Sequence, residues 1–95
     1  IHDFKNYKLP HVGWNDVKIL NNNGLFKDIK DGTDFYFIHS FYAQPVNKNI
    51  ISALSNNSVD FMCAFEKDNI FGVQFHPEKS QKSGLQLLKN WCELI

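Results

Sequence analysis

His76 and Glu78, two residues apart at the end of an apolar run, are the residues of this chain best placed to do chemistry. They flank Pro77 in the stretch Gly72-Val73-Gln74-Phe75-His76-Pro77-Glu78-Lys79-Ser80. Proline disfavours the α conformation in the residue before it, so His76 is expected to be extended. In extended backbone, residues two apart point to the same side, which brings the imidazole and the carboxylate together. A carboxylate in that place fixes the ring's tautomer and stabilises the imidazolium formed when the ring accepts a proton. That pairing is the base and its orienter in a nucleophilic triad. The plainer alternative is the start of a helix, with Ser80 or Ser83 as cap and His76 an ordinary polar residue at a strand end. The context favours the first reading. Ile70 to Phe75 predicts a buried strand before the motif. After it, Gly84, Leu85, Leu88, Trp91, Cys92 and Ile95 recur at helical spacing and predict a helix over about 81–94 with those residues packed. In open α/β sheets, ligands bind in the crevice beyond the carboxyl ends of the strands.

Other reactive side chains form no competing site. Cys63, between Met62 and Ala64, reads as a buried core thiol, and Cys92 is expected on the packed face of the final helix. Neither lies in the Gly-x-Cys-x-Gly setting of a nucleophile on a strand-to-helix turn. The two cysteines have no framework spacing, so a reduced, cytoplasmic setting is expected. His2, His11, His39 and His76 show no pair at ligand spacing, and no metal is expected. No Gly-rich phosphate loop is present, so no nucleotide cofactor is expected either. Ten acidic residues balance ten Lys and Arg, which favours neither nucleic acid nor an anionic membrane as partner. No apolar run approaches the length of a membrane span.

Ninety-five residues make one small domain, 1–95. Ile1 to Lys8 gives no clear element. Leu9 to Val17 reads as a strand broken at Gly13, where backbone approaches closely; Val17 to Leu20 extends it. Asn21 to Gly24 is a turn, and Leu25, Phe26 and Ile29 predict one or two helical turns. Thr33 to Tyr42 is the strongest strand: apolar residues on both faces predict a central strand covered on both sides. Ile50 to Leu54 is a short strand closed by Asn56-Asn57-Ser58. Val59 to Glu66 and Ile70 to Phe75 form a hairpin around Lys67-Asp68-Asn69. Strand after strand with one real helix predicts an α+β arrangement with an antiparallel component.

Gly72 to Glu78 resembles the last catalytic motif of class I, triad-type glutamine amidotransferases, and Lys79-Ser80-Gln81 with Gly84-Leu85 continues it. Pro10-His11-Val12-Gly13-Trp14-Asn15 and Tyr36-Phe37-Ile38-His39-Ser40-Phe41 match further stretches in the same order. Within that family the three motifs are most similar to glutaminase subunits that feed ammonia to a cyclase making imidazole glycerol phosphate. The resemblance implies an α/β, flavodoxin-like fold, of which this chain carries the C-terminal part, a mixed sheet with an antiparallel portion and a closing helix. The nucleophilic cysteine and the oxyanion strand would lie upstream of residue 1, so the chain alone is expected to be inactive. His76 is implied as the general base, Glu78 as its orienter, and His39, Ser40 and Phe41 as glutamine-contacting residues. The family has Tyr or another residue at Phe41, so only a backbone contact is carried over there. From its sequence alone, His39 fits a core histidine with one hydrogen-bond partner equally well. Trp14, Asn15, Tyr36 and Lys79 match positions at the interface with a (β/α)₈-barrel cyclase in a heterodimer. By themselves, Trp14 and Tyr36 fit core packing on strands, and Lys79 a solvated charge. The same fold also serves synthases that aminate surface-polysaccharide sugars. A non-catalytic binding module that keeps the His-x-Glu pair is a third possibility.

Overall fold

The computed structural model describes residues 4–45 and 47–94, with the side chains of residues 4–9, 40 and 42 outside that description. It has six strands, β1 (Phe4–Asp16), β2 (Lys18–Ile19), β3 (Asp34–Pro45), β4 (Ile51–Asn57), β5 (Val59–Lys67) and β6 (Ile70–Val73). One helix follows, α1 (Gln81–Leu94), and short 3-10 turns occupy Lys48–Ile50 and Pro77–Lys79. β1 pairs with β3, and β2-β4-β5-β6 make a second sheet. Every ladder among the described residues is antiparallel. Between the sheets lies a core of Val17, Leu25, Phe26, Phe35, Phe37, Ala53, Phe61, Cys63, Ala64, Phe75 and Leu87. Its centre is aromatic: the Phe75 ring lies 4.2 Å from that of Phe35 and 5.8 Å from that of Phe37.

Several expectations hold in the folded chain. The β5–β6 hairpin turns at Asp68-Asn69, with Lys67 opposite Ile70 and Asp68 at φ 55°. The helix runs over the predicted residues. The β4–β5 turn is tighter than predicted: Asn56 and Asn57 stay in the ladder opposite Asp60 and Val59. Ser58 alone reverses the chain, at φ 68°. β6 stops at Val73, two residues short of the predicted end.

Other expectations fail for identifiable reasons. β1 begins at Phe4, in the stretch that gave no clear element, because β3 extends to Pro45 and supplies a partner for each of Phe4 to Lys8. β1 does not break at Gly13, which stays opposite Phe37. Gly13 is needed for its φ of 131°, and no described atom lies where a Cβ would go. The irregularity instead falls at Leu9-Pro10, where two residues of β1 face Ser40 of β3; proline has no N–H to give the ladder. β3 is covered on one face only: Phe35 and Phe37 are buried, whereas Ile38 is 40% exposed. Leu25 to Ile29 forms consecutive turns rather than a helix, with Asp28 at φ 63°. Side chains satisfy this backbone in place of helical bonds: Glu66 Oε1 accepts from Leu25 N–H (3.2 Å) and Asn90 Nδ2 donates to the carbonyls of Leu25 and Lys27 (2.7 Å each).

The packed face of α1 also differs from the hydropathy reading. Gly84, Leu87 and Asn90 are buried, while Leu85 is 68% exposed and Trp91 and Cys92 are exposed; Ile95 lies outside the described residues. Gly84 packs as predicted and permits close approach, whereas Asn90, which scores as a surface residue, satisfies buried carbonyls. At Gly84 a Cβ would overlap the backbone carbonyl of Pro77, so the absence of a side chain lets α1 rest directly under the His76-Pro77-Glu78 segment. Gly84→Ala is therefore expected to lower stability by about 1–3 kcal/mol, the usual cost of forcing extra volume against backbone. A denaturant midpoint unchanged from the parent would show that the segment yields without cost.

Candidate functional site

His76 is held by its backbone before its side chain enters any argument. Gln74 N–H donates to the carbonyl of Cys63 (2.8 Å), continuing the line of β6 by one bond. Phe75 then drops into the aromatic core, and His76 follows in extended conformation, φ −102° and ψ 99°. Its N–H donates to the carbonyl of Tyr36 at 2.8 Å. Its carbonyl accepts from Lys79 N–H (3.1 Å) and from the Ser80 hydroxyl (2.6 Å). The same Ser80 oxygen accepts from Tyr36 N–H at 3.0 Å. Ser80 is thus buried and fully used, joining β3 to the His76 segment from both sides. Ser83, in the first turn of α1, shares its one hydroxyl hydrogen between the carbonyls of Ser80 (2.8 Å) and Asp34 (3.1 Å).

On that frame the His76 ring meets Glu78: Nδ1 and Oε2 are 2.9 Å apart. An ionised carboxylate only accepts, so Nδ1 donates and Nε2 carries the lone pair. Nε2 has no hydrogen-bond partner among the described residues, and the imidazole is partly exposed. The Glu78 carboxyl is held below its ordinary value of 4.5, first by the hydrogen bond from the His76 side chain and then by a backbone hydrogen bond. It is therefore ionised across the range in which an imidazole titrates. This geometry is that of an oriented base with its reactive nitrogen open.

The cysteines do not complete a triad. Cys63 is buried, and burial pushes its thiol well above the usual range, which suppresses the thiolate a nucleophile needs. Cys92 is exposed on the outer side of α1. No group of three or more His, Cys, Asp or Glu among the described residues could hold a metal ion.

The three segments singled out by sequence come together around β3. Trp14 and Tyr36 are register partners, their rings edge to face at 5.6 Å on the side of the β1–β3 sheet away from the core. Trp14 is 48% exposed. Trp14, Asp34 and Ser80 to Ser83 line an open depression there, and Lys79 is exposed on the turn before α1. Asn15 points to the other side of β1, where its Nδ2 donates to the carbonyl of Asn56 at 2.6 Å. Phe41 is exposed, and its carbonyl accepts from His39 Nδ1 at 2.8 Å; of Ser40 only the backbone is described. His39 does have a second partner: its Nε2 lies 3.1 Å from Nδ1 of His11, a buried histidine to which the sequence alone assigns no role. Ser80 likewise gives little sign of being a clamp. Its only sequence signal is a hydroxyl three residues after a proline that ends an extended run.

Removing the His76 ring is expected to raise the Glu78 titration midpoint toward 4.5. The sign follows from the depressed value: the carboxylate favours the folded state above its unfolded pKa, and that contribution is lost as pH falls through the folded one. A carbon-detected pH titration of the Glu78 side chain in His76→Ala checks it, and an unmoved midpoint would mean the pair does not form in solution.

The family model described as glutamine amidotransferase class-I matches residues 4–94. Among curated proteins, the chain is 56% identical over 86 residues to "Imidazole glycerol phosphate synthase subunit HisH" of Pectobacterium atrosepticum, covering 90% of this chain and 43% of that one. It is 48% identical over 85 residues to the subunit of the same name in Geobacter metallireducens, with 90% and 40% covered. The corresponding figures for Pelagibacter ubique are 46% over 88 residues, with 93% and 42% covered. The chain therefore spans well under half the length of these curated relatives. A crystal structure of a protein described as a GMP synthase subunit from Thermoplasma acidophilum superposes with a TM-score of 0.79 at 17% identity, covering 96% of this chain and 48% of that one. That likeness is one of fold.

Proposed function

The chain belongs to the class I glutamine amidotransferase family, and on that footing we propose that it supplies the base and orienter of a glutaminase that delivers ammonia for imidazole glycerol phosphate synthesis. The observation that carries the reading is the His76 Nδ1 to Glu78 Oε2 contact of 2.9 Å, which leaves Nε2 as a directed base. The relatives named as synthase subunits supply the pathway. Because the chain spans 40–43% of their length, the thiolate is assigned to residues outside it.

In the proposed reaction, Nε2 of His76 takes the proton of the cysteine thiol as sulfur attacks the side-chain carbonyl carbon of glutamine. The tetrahedral intermediate collapses with cleavage of the C–N bond, and His76 returns the proton to the departing nitrogen, which leaves as ammonia. Water, deprotonated by the same nitrogen, then cleaves the thioester to give glutamate and the free thiol. Glu78 stays ionised throughout and compensates the imidazolium. The backbone at Ser40-Phe41, with His39 behind it, is the assigned contact for glutamine. Trp14 and Tyr36, with Lys79 on the adjoining turn, form the assigned docking face for a (β/α)₈-barrel cyclase, while the Asn15 side chain turns to the opposite side of β1. Trp and Tyr are the residue types that dominate such interfaces.

Ammonia release from glutamine by the full gene product, with and without the cyclase and its substrate, tests the reading. His76→Ala is expected to lower kcat by about 10³-fold or more, and Glu78→Gln by about 10- to 100-fold with little change in KM. Retained turnover in His76→Ala would sink the triad assignment.

A further inference from the structure

A line of four contacts runs from β4 to the Ser40-Phe41 backbone, and its proton order is determined by them. It starts at the carbonyl of Asn56, to which Asn15 Nδ2 donates at 2.6 Å. The amide is oriented by its other end, since Oδ1 accepts from Asp16 N–H at 2.9 Å. The same Nδ2 lies 3.4 Å from Nε2 of His11. His11 Nδ1 lies 3.1 Å from Nε2 of His39, and His39 Nδ1 lies 2.8 Å from the carbonyl of Phe41. A carbonyl only accepts, so His39 Nδ1 must carry a proton; in the neutral ring Nε2 then accepts. His11 must in turn donate from Nδ1 and accept at Nε2, where the Asn15 amide supplies a hydrogen. Only one arrangement satisfies all four contacts, and both rings are neutral in it. A second proton on either ring would set two N–H groups against each other.

The surroundings hold this arrangement in place. His11 is buried, stacked on Phe37 at 4.7 Å and 16° between planes, with Phe61 edge-on at 5.8 Å. Burial, and then the neighbouring His39, lower its pKa, in keeping with the neutral ring. The target of the chain is equally specific. His11 and His39 are register partners at the edge of the bulge, and the next pair is Lys8 with Phe41. Pro10 has no N–H for the ladder there, and His39 donates to the Phe41 carbonyl in this interruption.

We propose that His11 is a positioning residue of the glutamine site: by donating to His39 it fixes the tautomer that holds the Phe41 carbonyl and so orients the Ser40-Phe41 backbone. The proposal rests on the assignment of that backbone to glutamine binding. It gives the buried His11 a task that core packing does not require, since an apolar ring would stack on Phe37 as well. Asn15, whose side chain faces away from the assigned docking surface, stands near the head of the chain that ends at the Phe41 carbonyl.

Two amide substitutions in the full gene product, assayed with its cyclase, separate the proton from the packing. In His11→Asn the side-chain amide nitrogen falls near the place of Nδ1 and can still donate to His39. In His11→Gln the amide falls near Nε2, meeting Asn15 but leaving His39 without its donor. Ring-nitrogen NMR at neutral pH is expected to show His39 protonated at Nδ1 in the parent and in His11→Asn, and a mixture of tautomers in His11→Gln. The KM for glutamine is expected to rise about fivefold to tenfold in His11→Gln, the loss of one hydrogen bond, with kcat within about twofold and His11→Asn near the parent. The proposal is overturned if parent His39 carries its proton on Nε2, if the two variants behave alike, or if the tautomer changes without KM. Should one variant fail to fold, the parent tautomer and the other variant decide. Absence of glutamine turnover in the parent would instead remove the functional reading, while the NMR result would still report on the histidine pair.

Discussion

The Ser80 hydroxyl is the contact on which the geometry of this chain turns. It donates to the carbonyl of His76 and accepts from the N–H of Tyr36, while Tyr36 returns its carbonyl to the N–H of His76. β3 thereby carries the base at its edge as though it were a neighbouring strand, although the ladder of β6 has already ended. In a buried hydroxyl with both capacities used, the hydrogen bonds offset the lost hydration, whereas one left unpaired would cost about 1–3 kcal/mol. The clamp fixes the main chain at His76, and Phe75 fixes it one residue earlier by burying its ring among Phe26, Phe35 and Phe37. With the main chain fixed on both sides, the imidazole has only its own rotamers left, and Glu78 selects among them.

That division of labour explains why the apolar core and the reactive group can be neighbours. The strand alternation that sends Phe35 and Phe37 inward turns Tyr36 outward, where its backbone, not its ring, serves His76. The ring itself is left to pack against Trp14 on the outer face. One residue of β3 therefore contributes to the catalytic frame through its amide and to the assigned docking face through its side chain. A displacement of β3 along its length would move both. The same strand carries His39 three residues on, so the His76 segment and the backbone assigned to glutamine are held by one rigid element, which is the arrangement that keeps a site within tight tolerances.

Much of this was legible in the residues. The Pro77 rule placed His76 in extended backbone, and the spacing of two placed Glu78 beside it. The hairpin at Asp68-Asn69 and the span of α1 followed from turn chemistry and periodicity. What escaped were features in which hydropathy and role part company. Asn90 looks like a surface residue and is buried, because satisfying two backbone carbonyls decides its place, whereas Leu85 and Trp91, expected to pack, are exposed. The Leu25 to Ile29 stretch looks helical and is held in turns, because Glu66 and Asn90 reach the backbone of Leu25 and Lys27 from β5 and α1. No local pattern records partners so distant in sequence. His11 belonged to a recognised stretch, yet its bond to His39 depends on a register set by the bulge at Leu9-Pro10, which only the pairing reveals.

The apolar faces that remain uncovered carry the last step. β3 reads as two-sided in sequence but buries one side here, and α1 packs through Gly84, Leu87 and Asn90 while Leu85 faces outward. Scattered exposed apolar residues need no explanation, but a strand and a helix that both carry a second apolar face do. His76 projects a partly exposed imidazole from the segment that joins these elements, with Nε2 open. In the proposed reaction the thiolate is neither Cys63, sealed in the core, nor Cys92, on the outer side of α1. Any layer that covered these exposed apolar faces would gain burial at about 25 cal/mol per Å². On the proposed reading, the open Nε2 of His76 and these second apolar faces belong together: an oriented base beside hydrophobic surface on which the rest of the reaction would be assembled.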